Sequence, residues 1–99
     1  MAKQLFAVIL SRGPGWQNSR PMEEQQDWDI HAAFMDALVA DGFVLLGGPL
    51  QGTAKVLLIV RAVDAGQIKP RLSDDIWMKN DLLRIAEVAH WTLRLGSLV

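Results

Sequence analysis

The sequence predicts an α+β domain, one antiparallel sheet with its helices on a single face. Three observations carry that prediction. Apolar runs rich in β-branched and aromatic residues lie at 5–10, 43–46 and 56–60, too short for helices and bounded by turn residues. Between the first two lies one long stretch of helical periodicity, from Asp27 to Gly42. The resulting order is strand, helix, strand, strand, helix, strand, which suits an antiparallel ferredoxin-like βαββαβ sandwich.

Residues 4–11 (QLFAVILS) form the first strand. Residues 12–21 (RGPGWQNSRP) are a loop, because Gly-Pro-Gly and Asn-Ser are turn chemistry. The loop carries Trp16, which reads first as a ring capping the core edge and second as a pocket wall. The first helix is expected from Met22 or Glu23, after Pro21 and with Glu23 and Glu24 at the positive end of its dipole. It ends at Asp41, with Gly42 as left-handed cap. Residues 43–50 (FVLLGGPL) make the second strand, interrupted at Gly47-Gly48-Pro49, where a bulge or a close backbone approach is expected. Gln51-Gly52-Thr53 turns into the third strand, 54–63 (AKVLLIVRAV), completing a hairpin. A short helix over 64–72 follows, capped by Asp64 and weakened by Gly66 and Pro70. Residues 73–81 are a turn or a single helical turn. The last strand lies within 82–95. It places Ile85, Glu87, Ala89, Trp91 and Leu93 on one side, and Arg84, Ala86, Val88, His90, Thr92 and Arg94 on the other. No repeat, linker or low-complexity segment divides the chain, so residues 1–99 read as one domain.

Composition narrows the function classes. The chain is 51% hydrophobic and 21% charged, the balance of an ordinary folded domain. Ten basic and eleven acidic residues are spread along it, leaving a net charge of −1. No basic block points to nucleic acid, so no nucleic-acid partner is expected. The absence of cysteine removes disulfides, zinc–thiolate sites and a thiol nucleophile, and fits a reducing cytoplasm. The apolar run near the N-terminus is far below the roughly 20 residues that span a bilayer. It also lacks a small-residue cleavage site, so neither a membrane partner nor a signal peptide is expected.

Two helices on one sheet face leave the other face toward water, where polar residues should alternate. They do not. The first three strands are apolar on both faces. A monomer would expose a patch larger than the few hundred Å² typical of soluble monomers. The open face is therefore expected to pack on a second copy as a two-fold homodimer.

The first helix carries the candidate chemistry. At about 100° per residue, Trp28, Ile30, Ala32, Phe34, Met35, Leu38 and Val39 fall in one wide apolar arc, with Asp29, Asp36 and Ala40 opposite. His31 sits near the middle of the arc, where a packing helix would carry Leu. A buried imidazole needs partners for its nitrogens. It is either a satisfied core residue or a group facing a ligand.

The motifs and their spacing resemble the YCII-related proteins of the dimeric α/β-barrel superfamily. They are His31, Asp41-Gly42, Leu46-Gly47-Gly48-Pro49-Leu50, Asp75-Ile76-Trp77 and His90-Trp91-Thr92-Leu93. The resemblance runs from Phe6 to about Leu95. It implies a ferredoxin-like fold, dimerisation through the open sheet faces and a pocket in each subunit. It also implies an active-site histidine–aspartate pair, which by motif is His31 and Asp75, beside the Gly48-Pro49 turn. The family usually has Pro after this aspartate, where the chain has Ile76. The missing ring leaves the choice between Asp74 and Asp75 open. Relatives include lyases acting on chlorinated hydroquinones, and the superfamily includes muconolactone isomerases and small monooxygenases.

The remaining candidates each have a plain reading beside the functional one. Asp75 and Asp74 read as a helix cap and its solvated neighbour, or as the partner of His31. Trp77 and Trp28 read as packing, or as walls for a flat substrate. Arg12 reads as a solvated loop residue, or as a contact for an anionic ligand. His90 reads as structural or edge-exposed. Glu24, seven residues before His31, offers only a weak carboxylate–histidine pair, and no metal site is recognisable. No phosphate loop, nucleotide-binding glycine pattern, serine elbow or haem attachment motif occurs, so no cofactor is expected.

Three functions compete. The first is a cofactor-independent enzyme in which His31, oriented by Asp75, moves a proton on a small cyclic or aromatic substrate in a lyase- or isomerase-like step. The second is a non-catalytic dimeric small-molecule-binding or accessory module. The third, weaker, is oxygen chemistry as in distant superfamily members. Solvent access at His31 and a cavity beside it separate the first two.

Overall fold

The structure, a computed structural model, describes residues 2–98. Its elements are β1 (Gln4–Arg12), α1 (Trp28–Ala40), β2 (Val44–Pro49), β3 (Lys55–Ala62), α2 (Ile68–Leu72), α3 (Ile76–Lys79) and β4 (Leu83–Trp91). The four strands form one antiparallel sheet in the order β2-β3-β1-β4. Strand order and helix placement are consistent with a ferredoxin-like fold. Among the described residues no helix is long and apolar enough to cross a membrane.

Strand β1 shows why the sheet has two unlike faces. Phe6, Val8 and Leu10 alternate into the core, which Leu38 of α1, Ile68 and Leu72 of α2 and Trp77 of α3 complete. Leu5, Ala7 and Ile9 point the other way and are half-buried. Leu57 and Ile59 of β3 and Trp91 and Ala89 of β4 pair on that same open face.

Two register shifts alter the expected side-chain directions. In β4, Ile9 pairs with Glu87 but Leu10 pairs with Ile85, so Ala86 is an extra residue. The shift turns Ile85 onto the core side with Val88 and His90, and moves Arg84 to the side of Glu87, Ala89 and Trp91. The strict alternation expected for the last strand is thereby corrected. In β2, Val44 pairs with Val60 and Leu46 with Ile59, leaving Leu45 as the extra residue. The irregularity lies before Gly47-Gly48, not at them. Leu46 emerges on the open face 55% exposed.

The segment before α1 also differs from expectation. A helix does not run from Met22 to Asp41. Met22–Glu24 is a single 3₁₀ turn, Asp27 adopts the left-handed region (φ 60°), and α1 starts at Trp28. The buried Gln25 holds this stretch. Its Nε2 donates to the carbonyls of Gln17 (2.7 Å) and Arg20 (2.9 Å), and its Oε1 accepts from the Gln17 N–H (3.0 Å). Gln25 thus satisfies three backbone groups of the preceding loop, at Gln17 and Arg20. Gly42 does close α1 with φ 84°. Asp64 makes no side-chain cap. Gln67 Oε1 instead accepts the Val63 N–H at 2.9 Å, and the helical segment splits into a 3₁₀ turn and α2.

Candidate active site

Helix α3 is short, and its first residue is prepared by Asp75. The Asp75 backbone is extended (φ −65°, ψ 133°), and its Oδ1 accepts the Trp77 N–H at 3.2 Å, an N-cap bond. The cap forms without a proline after the aspartate, Ile76 taking that place. Asp75 is almost completely buried, 1% exposed, while Asp74 is exposed. Burial of a carboxylate requires a partner for its second oxygen. That partner is His31 of α1, whose Nδ1 lies 2.7 Å from Asp75 Oδ2. One aspartate therefore serves as both cap and histidine partner, one oxygen for each.

An ionised carboxylate only accepts, so Nδ1 carries the proton and donates. In the neutral ring the lone pair is then on Nε2. Among the described residues Nε2 has no hydrogen-bond partner, yet no polar side-chain atom is both sealed and unpartnered. Nε2 consequently keeps access to solvent.

Tryptophans fix the plane of the imidazole. The fully buried Trp77 stacks on it at 3.7 Å between centroids, with 7° between planes. Its indole Nε1–H donates to the Gln26 carbonyl at 2.6 Å, which locks the ring. Trp28 approaches both rings, 5.9 Å from His31 and 5.8 Å from Trp77. Trp16 meets Trp77 edge-on at 5.5 Å and is buried, the core-edge role expected of it. A positive charge formed on His31 would lie between an indole face and a carboxylate, both of which favour it.

Beside His31 lies a cavity of about 400 Å³, open on one side and within the range of small-ligand sites. Trp28, His31, Ala32, Met35, Asp36 and Val39 form its α1 wall. Gly47, Gly48 and Pro49 of β2, with Val56 and Leu58 of β3, form the opposite wall, and Trp77 contributes from α3. Gly47 packs closely against Leu58 there. A Cβ on it would lie 2.6 Å from Leu58 Cδ2, whereas a Cβ on Gly48 would meet nothing within 4 Å. The close approach expected in the Gly47-Gly48-Pro49 stretch is thus at its first residue.

Of the residues singled out from the sequence, Trp28, His31, Gly48, Pro49 and Trp77 line the cavity, and Asp75 supports it from behind. Arg12 does not line it. Its guanidinium lies 4.4 Å above the Trp16 ring, so it packs on the far side of the tryptophan cluster. His90 is exposed on β4, its ring 5.4 Å from Phe6 and away from the cavity. Glu24 sits on the separate 3₁₀ turn, so the supposed one-face spacing to His31 does not exist. Met22, Met35, Asp36 and Val39 line the cavity but were not read as site residues from the sequence. Periodicity gave a buried arc but not which flank of it would face a void. The true buried stripe centres on His31 and Leu38, Ile30 is 57% exposed, and Asp36 borders the cavity instead of lying opposite it. Comparison of the chain with protein-family models and with curated proteins finds no match.

Proposed function

We propose that the chain is a small cofactor-independent enzyme that moves a proton on a small cyclic or aromatic substrate. One observation carries the reading. His31 is held through Nδ1 by a buried carboxylate and lines an apolar cavity, while its Nε2 is unsealed and has no hydrogen-bond partner among the described residues. A histidine sealed in the core would have both nitrogens hydrogen-bonded. In the proposed step Nε2 takes a proton from an acidic carbon or phenolic oxygen, and the electron pair left behind moves into the ring. The proton returns at another carbon in an isomerisation. In an elimination, a neighbouring leaving group departs with its bonding pair and His31 releases its proton to water. The resemblance to YCII-related proteins points the same way.

The test is a panel of phenols, hydroquinones and cyclic enones, followed by NMR in D₂O for hydrogen exchange, isomerisation or elimination. Wild type should turn over or exchange one class, and His31→Gln should lower the rate by about 10²–10⁴-fold. An equal rate in His31→Gln removes the histidine from the chemistry. Binding without exchange would favour the second reading, a small-molecule-binding module, which the largely apolar lining also suits.

We further infer that a second copy covers the open sheet face, completing a dimeric barrel, and that the protein works in the cytoplasm. Leu46 is more than half exposed on that face, which also carries the half-buried Leu5, Ile9, Leu57 and Trp91. Light scattering at micromolar concentration should give twice the 11.0 kDa chain mass, and Leu46→Glu should halve it. A wild-type mass of one chain refutes the dimer.

A further inference from the structure

The cavity has a charge pattern that the proton-transfer reading does not use. Its lining is apolar except for two ionisable side chains, His31 and Asp36, and no Lys or Arg borders it among the described residues. Asp36 lies five residues after His31 on α1, rotated about 140° around the helix, and is an exposed residue of the cavity lining. Val39, 53% exposed, also lines the cavity. Among the described residues neither hydrogen bond nor ion pair engages the Asp36 carboxylate. A ligand seated with its inner end at His31 Nε2 would therefore bring its outer end toward an unpaired carboxylate. The second carboxylate, Asp75, stands behind the imidazole. With His31 neutral the site holds two negative charges and no positive one.

We propose that Asp36 sets substrate charge: the site takes ring compounds with a hydroxyl at the inner end and a cationic or neutral group at the outer end, and rejects carboxylated rings. The proposal rests on the reading of the cavity as a proton-transfer site for ring compounds. An anionic ligand would lose its hydration at an apolar wall without meeting any cation. It would also be repelled by Asp36. A cationic ligand gains the same Coulomb interaction with opposite sign, so the cation-to-anion ratio measures it twice.

Three probes of one ring and similar length separate the charges: tyramine, 4-ethylphenol and 4-hydroxyphenylacetate. Their affinities for the full chain are read by NMR titration. Wild type should bind tyramine about tenfold more tightly than 4-hydroxyphenylacetate at low salt, with 4-ethylphenol between them. Asp36→Asn should cut that ratio to about two- or threefold, and Asp36→Lys should invert it. Salt at 1 M should compress the wild-type ratio and leave 4-ethylphenol unchanged. Equal binding of cation and anion by wild type overturns the role of Asp36, as does an unchanged ratio in Asp36→Asn. If 4-ethylphenol itself fails to bind, the ring-binding reading of the cavity falls and this proposal with it. Asp36 is exposed, so unchanged circular dichroism in its variants shows that the ratio reports the site and not the fold.

Discussion

Replacing Asp75 tests whether one buried carboxylate holds both α3 and His31. In Asp75→Ala the Trp77 N–H loses its cap and His31 Nδ1 loses its acceptor, at a residue that is 1% exposed. Loss of the cap costs about 1 kcal/mol. Loss of a buried hydrogen bond to a charged group costs about 1.5–3 kcal/mol. With some desolvation of the orphaned groups, the sum is about 3–5 kcal/mol, a large part of the 5–15 kcal/mol typical of a domain. For a chain of this size that lowers Tm by about 15–30 °C. Asp75→Asn is more informative because its shape is unchanged. Its amide oxygen can keep the Trp77 N–H, and its NH₂ then faces His31 Nδ1. The imidazole must switch tautomer to accept, which places the proton on Nε2. Stability should fall by only about 1–2 kcal/mol, but the lone pair that faces the cavity is gone. Long-range ¹H–¹⁵N correlation spectra of His31 should show Nδ1–H in wild type and Nε2–H in Asp75→Asn, and turnover should fall by about 10²–10⁴-fold. The reasoning is refuted if Asp75→Ala melts within about 1 kcal/mol of wild type, or if both proteins show one tautomer.

Two further substitutions and one pH scan probe other parts of the structure. Gly47→Ala should force Leu58 aside, destabilise the fold by about 1–3 kcal/mol and weaken ligand binding. Gly48→Ala, whose Cβ meets nothing, should change the melting temperature little, and equal effects of the two in thermal melts would contradict the packing described. Acid stability should depend on Asp41. Its carboxyl is held below the usual 3.8 by the Phe43 N–H and then by Arg71, and that of Asp81 by Arg84. Both carboxyls titrate lower in the folded chain, so their stabilisation is present above pH 3.8 and is lost as pH falls through the depressed values. Melting curves from pH 5 down to about 2 should fall less steeply for Asp41→Asn than for wild type. An identical slope would show that this carboxyl contributes nothing.

Much of this site was legible before any coordinates. His31 stood out because an imidazole in an apolar stripe demands a partner, whereas Asp75 was singled out as that partner only by the resemblance to YCII-related proteins, with Asp74 left open beside it. Why Asp75 and not Asp74 is a matter of direction. Only the residue in the cap position aims one oxygen down the α3 axis and the other at α1. Gln25 carried no signal, because the three backbone groups it satisfies become neighbours only when the loop folds.

The sequence by itself determined the order of the strands and main helices, the C-terminal end of α1 at Gly42, and the doubly apolar sheet. These follow from local periodicity and backbone preference, which act over a few residues. Tertiary structure decided the rest: the bulges at Leu45 and Ala86, the left-handed turn at Asp27, the stacking of Trp77 on His31, and the flank of α1 that borders the cavity. Those features depend on how two distant segments share space, and no local pattern encodes the direction from which a neighbour arrives. His31 and Asp75, 44 residues apart in the chain, meet because α1 and α3 pack over the same sheet face.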